Sequence, residues 1–444
     1  MRILVQKFGG TTLATQEGRE LAAEAILWER ARGYTPVAVV SAPGREGDPY
    51  ATDTLLGLAK DLGPELDPRT LDLLLSCGET ISAALLTLTL LRKGCPAVAL
   101  TGAQAGIITT GEFGNARILR VDPRRILASL QQGKVVVVAG FQGVSEDGEV
   151  TTLGRGGSDT TAVALGAALK AERVELYKDV DGVMTADPRL VPNAQPIRKI
   201  TYDEIAQMAW LGARVIHPRA VDIARFHRVR LVIRRLSRPG HVQGEHSGSL
   251  GPLPHSPEGS GEGTVLVKDP DPNAPSGHPF AVEGEEEGSV SFADGRVVVG
   301  LAHIPHLAQI ALEWPPEEGL GRVLDALTGI AAEGISIDLI TLLPGRLLFT
   351  IEEGVSEKAE RLLLARGFRP QIRRGCAKVS VVGAGMRGVP GVMARVVKAL
   401  YHAGVEILQT ADSHTTISCL VPQEKMKEAL CALHEEFITP AHTL

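Results

Sequence analysis

The first 235 residues of this chain alternate short, uninterrupted apolar runs with longer segments that have the apolar spacing of a helix. The apolar runs lie at residues 3–5, 37–40, 97–100, 135–139, 174–177 and 229–233, and the clearest helical segments lie at 17–32 and 160–171. A strand that is buried on both faces has no polar face, so its sequence is a continuous run of residues such as Val, Ile and Leu. The alternation predicts an α/β sandwich, in which helices cover both faces of a mainly parallel sheet.

The composition changes between residues 237 and 295, where Pro, Gly, Ser and Glu dominate. So few apolar side chains cannot offset the conformational entropy that is lost on folding. We therefore expect a partly disordered linker at 237–295, with a short strand at 264–267, after an α/β domain at 1–236.

The last third of the chain contains a weak internal repeat. RVLDAL at 322–327 parallels RVVKAL at 395–400, and a glycine follows each copy at a similar distance, Gly334 and Gly404. Each copy has the pattern strand, helix, turn, strand, strand, helix, which predicts two small α+β units at 296–372 and 373–444 whose strands could exchange. The open sheet edges of such units need partners, so we expect at least a homodimer.

Charge, apolar runs and cysteines argue against several classes of protein. The net charge of −6 provides no basic field for nucleic acid. Apolar runs such as 81–91 are too short, and too interrupted by Ser and Thr, to cross a bilayer. The chain begins directly with a predicted strand, and its five cysteines form no CxxC pair. We therefore expect a cytoplasmic protein without disulfides or structural zinc that binds neither nucleic acid nor membrane.

The segment KFGGTT at residues 7–12 follows the first predicted strand. Gly9 and Gly10 let backbone N–H groups approach a phosphate closely, and Lys7 supplies a positive charge. Thr11 or Thr12 can cap the next helix. In isolation, a tight turn with a solvated lysine explains these residues better, and they are not the GxxxxGK[ST] phosphate loop.

The segment GRGGSDTT at residues 154–161 precedes a helix rich in Ala and Leu. Arg155 can bind a carboxylate in bidentate fashion, and Ser158 or Asp159 is suited to capping the helix. A capped helix after a glycine turn explains Ser158 and Asp159, but it does not explain three glycines around an arginine. We therefore favour a binding loop.

Three further motifs are ambiguous when each is taken alone. Residues 178–189 (KDVDGVMTADPR) hold three acids and two cations after a predicted strand, which suits a nucleotide with Mg²⁺ and equally a solvated loop. In SCGE at 76–79, Glu79 lies just ahead of an apolar helix. It could be a first-turn acid favoured by the helix dipole, or it could bind a substrate ammonium. GAGMRG at 383–388 fits GxGxxG, but too little chain follows it for a dinucleotide fold, so we interpret it as a loop.

Together and in this order, the N-terminal motifs resemble those of the aspartate kinases of the amino-acid kinase superfamily, and the two C-terminal copies look like that family's paired ACT domains. Residues 73–82, 99–106 and 411–417 are similar to its diaminopimelate-sensitive, Bacillus-type branch. The resemblance implies phosphoryl transfer from ATP, with Mg²⁺, to L-aspartate, giving ADP and 4-phospho-L-aspartate. This is the first step towards diaminopimelate, lysine, threonine and methionine. It also implies feedback regulation through the ACT domains by diaminopimelate, with lysine or threonine as alternatives.

The resemblance also implies roles for individual residues. Those with catalytic roles would be Lys7 and Asp159. Those that bind the substrate would be Ser41, Thr52, Glu79, Arg155 and Ser158. Those that bind ATP would be Lys7, Gly9, Gly10, Lys178, Asp179, Met184, Asp187, Arg189 and Arg214, with the rest of the 212–218 segment. Those that bind the effector would be Asp338, Met386, Val389, Gln409 and Asp412. An alternative for the last set is that Met386 and Val389 are core residues and Asp338 is a solvated turn acid.

The implied chemistry agrees with these residue types. A carboxylate, with a pKa of about 4, is already a nucleophile at neutral pH, so no general base is required and catalysis depends on alignment and charge neutralisation. Several positions depart from the family. Among them, Lys178 stands where Thr or Ser is usual, Met184 where Tyr is common, and Arg214 where Lys is usual. Two alternatives remain. One is an amino-acid kinase acting on glutamate, acetylglutamate or UMP, and the other is a catalytically weak ACT-type sensor.

Overall fold

The computed structural model describes residues 1–63, 65–213, 215–238, 263–267, 297–386 and 389–439. The strands of the N-terminal part are β1 (Arg2–Phe8), β2 (Tyr34–Val40), β3 (Ala97–Leu100), β4 (Ile107–Thr109), β5 (Ile118–Val121), β6 (Val135–Ala139), β7 (Gln142–Ser145), β8 (Val150–Thr152), β9 (Arg173–Lys178), β10 (Lys199–Thr201), β11 (Leu231–Arg235) and β12 (Gly263–Val267). Its helices are α1 (Gly10–Leu13), α2 (Gln16–Ala31), α3 (Thr52–Lys60), α4 (Pro68–Arg92), α5 (Arg124–Gln131), α6 (Gly157–Ala168), α7 (Tyr202–Trp210) and α8 (Pro218–Phe226).

Eight of these strands form one sheet in the order β10-β12-β11-β9-β1-β2-β6-β3. Every pairing in it is parallel except that of β11 with β12. Alternate residues of a strand face opposite sides of a sheet, and here both sides are apolar. Val5, Val39 and Val138 pack into one core with residues of α5 to α8, and Phe8 and Val40 pack into another with residues of α2 and α4. The predicted α/β sandwich with a mainly parallel sheet is confirmed.

A second sheet, in the order β5-β4-β7-β8, lies beside α4. Buried Asp72 of α4 connects the two, since its carboxylate accepts hydrogen bonds from the backbone N–H of Gly114 and from both the N–H and the hydroxyl of Thr152. By length and composition, α4 is the one helix among the described residues that could cross a membrane. It nevertheless packs as a core helix, because half of its most apolar window is buried inside the protein together with two carboxylates, Asp72 and Glu79.

The C-terminal part contains β13 (Gly300–Glu313), α9 (Gly319–Ala332), β14 (Asp338–Leu343), β15 (Arg346–Glu352), α10 (Ser356–Ala365), β16 (Gln371–Val382), α11 (Val392–His402), β17 (Gln409–Asp412), β18 (Thr416–Pro422) and α12 (Met426–Phe437). Six strands form one sheet in the order β14-β15-β13-β16-β18-β17. It consists of two α+β units that share the long strands β13 and β16. Residues 307–313 of β13 pair with β15 of the first unit, and residues 300–304 pair with the half of β16 that pairs with β18 of the second. The second unit therefore takes one strand from residues 300–304, within the range that the sequence assigns to the first unit.

The loop between β9 and β10 joins the N-terminal domain to the second C-terminal unit. Ala186 and Val191 of this loop belong to the apolar core of that unit. Thr185 accepts a hydrogen bond at its backbone oxygen from the N–H of Leu301 (2.7 Å), and its hydroxyl lies 2.9 Å from Nε2 of His434, where both side chains are buried. The two parts of the molecule are thus packed through a shared core.

The predicted linker at 237–295 lies for the most part outside the described residues. Its one described stretch, Gly263–Val267, forms β12 inside the eight-stranded sheet, at the position where the composition predicts a short strand.

Candidate active site

A pocket of about 870 Å³ opens at the carboxyl ends of β1, β2 and β9, the end of a parallel sheet at which α/β proteins bind ligands. Among the residues that line it are Lys7, Ser41, Thr52, Glu79, Arg155, Ser158, Asp159 and Lys178. The structure therefore brings together the residues assigned to catalysis and to the amino-acid substrate, along with Lys178 and part of the 212–218 segment, which were assigned to ATP. Asp53 and Phe141 also line the pocket and were given no role of their own from the sequence, whereas His217 lines it as part of the 212–218 segment assigned to ATP.

Two lysines share one buried carboxylate in this pocket. Lys7 near the end of β1 and Lys178 at the end of β9 place their Nζ atoms 3.0 Å and 2.6 Å from the two oxygens of Asp159, in the first turn of α6. Burial opposes the ionisation of Asp159, but Lys178 and Lys7 hold its pKa well below the usual range. Burial also lowers the pKa of Lys7, against the attraction of Asp159. With all three groups ionised, the cluster keeps one net positive charge, which suits a phosphate or carboxylate ligand.

Glu79 provides a buried carboxyl group to the same pocket. Its side chain is 2% exposed, and Oε1 accepts a hydrogen bond from the N–H of Ala42 at 2.9 Å. Oε2 is buried and has no hydrogen-bond partner among the described residues. Burial raises the pKa of Glu79 to about 8, against the hydrogen bond from Ala42. A buried carboxylate oxygen that faces a pocket without a partner is suited to an incoming ammonium group.

The position of Glu79 within its helix differs from the sequence expectation. The expectation of a first-turn acid was wrong, because α4 begins at Pro68 after an Asp67 cap and Glu79 lies near its middle. Gly78 looks like a helix boundary in the sequence, but a Cβ at this position would lie 2.7 Å from both Ala42 Cβ and the Tyr50 oxygen. The glycine allows close packing and does not end the helix.

The glycine loop at 154–157 positions Arg155 at the pocket. Gly154 and Gly156 have φ of +71° and +72°, the left-handed region that glycine adopts without steric cost. Arg155 is exposed at the pocket wall, whereas Ser158 is buried at the start of α6. The expectation that Ser158 or Asp159 caps this helix was wrong: Gly156 is the N-cap and no side chain bonds there. The first-turn side chains instead face the pocket.

The turn after β1 contains Gly9 and Gly10, which lie outside the pocket lining. A Cβ at Gly10 would lie 2.3 Å from the Ala42 oxygen, so the glycine permits the turn to pack against the end of β2. The expectation that Thr11 or Thr12 caps the next helix was wrong as well. Gly9 precedes α1 without a side-chain cap, and Thr15 caps α2 through its hydrogen bond from Gly18 N–H.

Most residues assigned to ATP lie in exposed loops beyond the pocket lining. Asp179 is paired with Arg45 at 3.3 Å, and both side chains are about two-thirds exposed (69% and 67%). Asp187 and Arg189 are paired with each other at 2.7 Å, and Met184 is half-buried in the same loop. Arg214 lies outside the described residues, whereas its neighbours from Gly212 to Pro218 line the pocket. Within the described part of the chain, no three His, Cys, Asp or Glu side chains are grouped as metal ligands.

The residues assigned to the effector are divided between the two C-terminal units. Asp338 at the start of β14 is half-exposed and paired with the buried Lys378 of β16. Gln409 of β17 donates to the oxygen of Leu339 and to the hydroxyl of Thr341, so the two edge strands of the sheet meet. In the second unit, Met386 lies in the apolar core, while Val389 and Asp412 are exposed.

Comparison with known proteins agrees with this architecture. The profile of the amino acid kinase family matches residues 2–235, and that of the ACT domain matches residues 371–435. The crystal structures of E. coli aspartokinase III with aspartate and ADP and of Clostridium acetobutylicum aspartate kinase both superpose with a TM-score of 0.72, at 22% and 21% identity. They cover 98% of this chain, and 99% and 100% of those chains. The fold is that of the amino acid kinase family.

Curated relatives narrow the assignment. Aspartokinase 1 of Bacillus subtilis (strain 168) is 43% identical over 438 residues, which are 98% of this chain and 99% of that protein. The aspartokinase of Geobacillus stearothermophilus is 39% identical over 443 residues, with 98% and 97% covered. This chain therefore belongs to the aspartokinases of the amino acid kinase family. The alternative of a kinase for a different substrate is not favoured by these similarities, and neither is that of a weakly active sensor.

Proposed function

We propose that this protein is an aspartate kinase that transfers the γ-phosphoryl group of ATP to the side-chain carboxylate of L-aspartate, giving ADP and 4-phospho-L-aspartate. The observation that carries the proposal is the charge distribution of a single pocket. It combines a buried carboxylate oxygen without a partner in the described structure, on Glu79, with a cationic cluster of Lys7, Asp159 and Lys178. An amino acid with an additional carboxylate matches this arrangement.

The substrate would be held by its α-ammonium and α-carboxylate groups. Glu79 would bind the ammonium group, and Arg155 would bind the α-carboxylate in bidentate fashion. Ser41, Thr52 and Ser158 would contribute hydroxyl groups to the same pocket. Held in this way, the side-chain carboxylate would be aligned with the incoming phosphoryl group, and alignment is a large part of what such a reaction requires.

Charge neutralisation would come from the lysine cluster. The carboxylate nucleophile needs no general base, whereas negative charge on the transferring group has to be stabilised. Lys7 would contact the transferring phosphoryl group, and Asp159 would hold Lys7 and Lys178 towards it. The acyl phosphate product is prone to hydrolysis, so the buried walls of the pocket would also serve to exclude water.

ATP would be bound as its magnesium complex by the loops around this cluster. The residues in question are Lys7, Gly9, Gly10, Lys178, Asp179, Met184, Asp187, Arg189 and Arg214. Since the described residues provide no three-carboxylate or histidine cage, Mg²⁺ would enter mainly as a ligand of the nucleotide phosphates.

Regulation would act through the C-terminal units. We propose that an amino-acid effector, either diaminopimelate, lysine or threonine, binds there through Asp338, Met386, Val389, Gln409 and Asp412, in a cytoplasmic enzyme that is at least a homodimer. One related fold supports the idea of an effector, since E. coli aspartokinase III was crystallised with lysine and aspartate in a T-state.

The reaction can be tested directly with the full-length protein. ADP release with ATP and Mg²⁺ should depend on L-aspartate, and hydroxylamine should trap the acyl phosphate as a hydroxamate. Glutamate, N-acetylglutamate and UMP serve as matched alternative acceptors. ADP release with one of these and not with aspartate would disprove the proposed substrate. Addition of each candidate effector in turn would then show which of them inhibits.

A further inference from the structure

The side chain of His217 is packed against the glycine loop of the pocket. A Cβ built on Gly156 would lie 2.3 Å, 2.5 Å and 2.7 Å from the Cβ, Cγ and Cδ2 atoms of His217. These distances are far inside van der Waals contact, so the imidazole occupies the space that any other residue at 156 would need. Gly156 is also in the left-handed conformation, at φ +72°. The shape of this loop is therefore matched to His217.

His217 is also fixed at its other edge. Its Nδ1 accepts a hydrogen bond from the backbone N–H of Arg219 at 3.3 Å, which makes His217 the N-cap of α8. Arg219 in turn donates from Nη1 to the backbone oxygen of Leu153 at 3.4 Å, just before the loop. The beginning of α8 thus contacts the glycine loop at two points, through His217 on Gly156 and through Arg219 on Leu153.

We propose that His217 is a positioning residue for the amino-acid substrate: it holds the 154–159 loop in the conformation in which Arg155 and Ser158 bind aspartate. The inference rests on the proposed function, because it takes Arg155 and Ser158 as aspartate ligands. It differs from the role that the sequence assigns to the 212–218 segment, which is ATP binding alone. One segment would then set the geometry of both substrates, with its flanking residues at the nucleotide and His217 at the amino acid.

Two substitutions separate loop positioning from helix capping. Asn and Ser are both strong N-caps, so His217→Asn and His217→Ser should both keep α8 capped. Asn also retains heavy atoms at the Cγ and Cδ2 positions that touch Gly156, whereas Ser does not. We expect KM for aspartate to stay within about twofold of wild type in the Asn variant and to rise about tenfold in the Ser variant, a loss equivalent to part of one charge-assisted hydrogen bond. KM for ATP should be unchanged in both, and His227→Asn at the exposed end of α8 serves as the control.

Other roles predict other patterns. If His217 only caps α8, Asn and Ser will behave alike and stay close to wild type. If its Nε2–H contacts a substrate directly, both will be impaired to the same degree. Either pattern would overturn the proposal.

A coupling measurement tests the contact itself. Gly156→Ala should be less damaging in a His217→Gly background than in wild type, because the glycine removes the atoms that the new Cβ would meet. The left-handed strain of alanine is present in both backgrounds and cancels in the comparison. Independent, multiplicative effects of the two substitutions would contradict the contact.

Hydrogen exchange keeps the inference distinguishable from the proposed function. If wild-type protein shows no aspartate-dependent ADP release, the proposed substrate fails, but the loop can still be examined. The amides of residues 154–160 should exchange faster in His217→Ser than in His217→Asn or wild type. Equal exchange in all three would overturn the positioning role whatever the substrate is.

Discussion

The proposed active site has a side for the amino acid and a side for the nucleotide, and the two are built in different ways. On the amino-acid side, Glu79 and Ser158 lie on helices that are packed against the central sheet, and both are buried. On the nucleotide side, Asp179 and Arg189 lie in loops, are mostly exposed and are paired with nearby side chains. The amino-acid side is therefore shaped by the core of the catalytic domain itself. The nucleotide side depends on whatever holds its loops in place.

The second of the two C-terminal α+β units, which are the regulatory units of the proposed function, helps to hold the loops of the nucleotide side in place. The β9–β10 loop, which carries Asp187 and Arg189, contributes Ala186 and Val191 to the core of that unit. A rearrangement of the regulatory unit would therefore reach the nucleotide loop through direct packing, whereas it would reach Glu79 only through the catalytic domain. This comparison leads to four predictions, which range from the shared centre of the site to its periphery.

The largest effect is expected where the two sides meet, at the lysine cluster. Lys7→Met removes a positive charge that is held 3.0 Å from Asp159 and that would, in the proposed reaction, contact the transferring phosphoryl group. We expect kcat to fall by about 10²- to 10³-fold, the usual loss when one preorganised charge-stabilising donor is removed, with a much smaller change in KM for aspartate. Steady-state kinetics measure both constants.

Two matched variants accompany this prediction. Lys60→Met removes an exposed lysine from α3 and should have no effect. Lys178→Met should reduce kcat less than Lys7→Met, because the Lys178 side chain is more exposed, at 18% against 8%. A larger loss at Lys178 than at Lys7 would place the principal cation on the nucleotide side and reverse this part of the comparison.

The second prediction concerns Glu79 and the amino-acid side. Glu79→Gln keeps an acceptor for the N–H of Ala42 but removes the carboxyl group that would ionise to pair with the substrate ammonium. We expect KM for aspartate to rise by about 10- to 100-fold, the range for one charged hydrogen bond, with KM for ATP nearly constant. A proportionate rise in both constants would show that the two sides are not independent.

The fold was largely predictable from local pattern, and its exceptions have physical causes. Apolar runs such as 135–139 identified strands of the main sheet, because a strand that is buried on both faces has apolar residues at every position. The small sheet of β4, β5, β7 and β8 was missed, since strands of three or four residues carry little periodicity. The exchange of β13 between the regulatory units was expected only as a possibility of the repeat, because pairing across such a separation in sequence leaves no local signal.

The active site shows the same division between local and tertiary information. Lys7, Glu79, Arg155 and Asp159 lie in glycine-containing motifs, and the structure places all four in one pocket. The capping roles of Ser158 and Asp159 were mispredicted because a glycine at φ +72° can itself begin a helix. The contact of His217 with Gly156 joins segments that are far apart in the chain. In the sequence, the one sign of it is a glycine at 156, where a side chain would meet the imidazole.

The third prediction is a dependence of stability on pH that originates on the amino-acid side. Burial raises the pKa of Glu79 from 4.5 to about 8 in the substrate-free fold. Between these two values the folded protein holds a proton that the unfolded chain has released, so the free energy of unfolding should decrease as pH rises. Chemical denaturation at several pH values in this window, compared between wild type and Glu79→Gln, measures the contribution.

Aspartate should remove this dependence. The ammonium group of the substrate would stabilise the ionised form of Glu79, so bound aspartate should lower the pKa of Glu79. The affinity of the protein for aspartate should therefore increase as pH rises towards 8. The Glu79→Gln variant should show neither the change in stability nor the change in affinity. If the stability and the aspartate affinity of wild type and Glu79→Gln depended on pH in the same way, the dependence would belong to another group, and Glu79 would have no role in substrate binding.

The smallest effect is expected at the contact between the nucleotide loop and the regulatory unit. Burial lowers the pKa of His434, which favours a neutral imidazole at its hydrogen bond with the hydroxyl of Thr185. His434→Leu leaves that hydroxyl buried without this partner, at a cost of about 1–3 kcal/mol, whereas the amide of His434→Gln can donate or accept at a similar reach. If the regulatory unit supports the nucleotide loop, the Leu variant should raise KM for ATP by about three- to tenfold and leave KM for aspartate within about twofold, while the Gln variant stays close to wild type.

The ratio of the two Michaelis constants decides this last point. Thr185 lies in the nucleotide loop and also contacts the regulatory unit. A change at His434 should therefore act directly on the nucleotide loop, whereas it could affect Glu79 only through the rest of the catalytic domain. An increase confined to KM for aspartate would mean that the two sides are connected through the body of the catalytic domain. The regulatory unit would then act on the site as a whole, and the difference in construction between its two sides would have no bearing on how it is controlled.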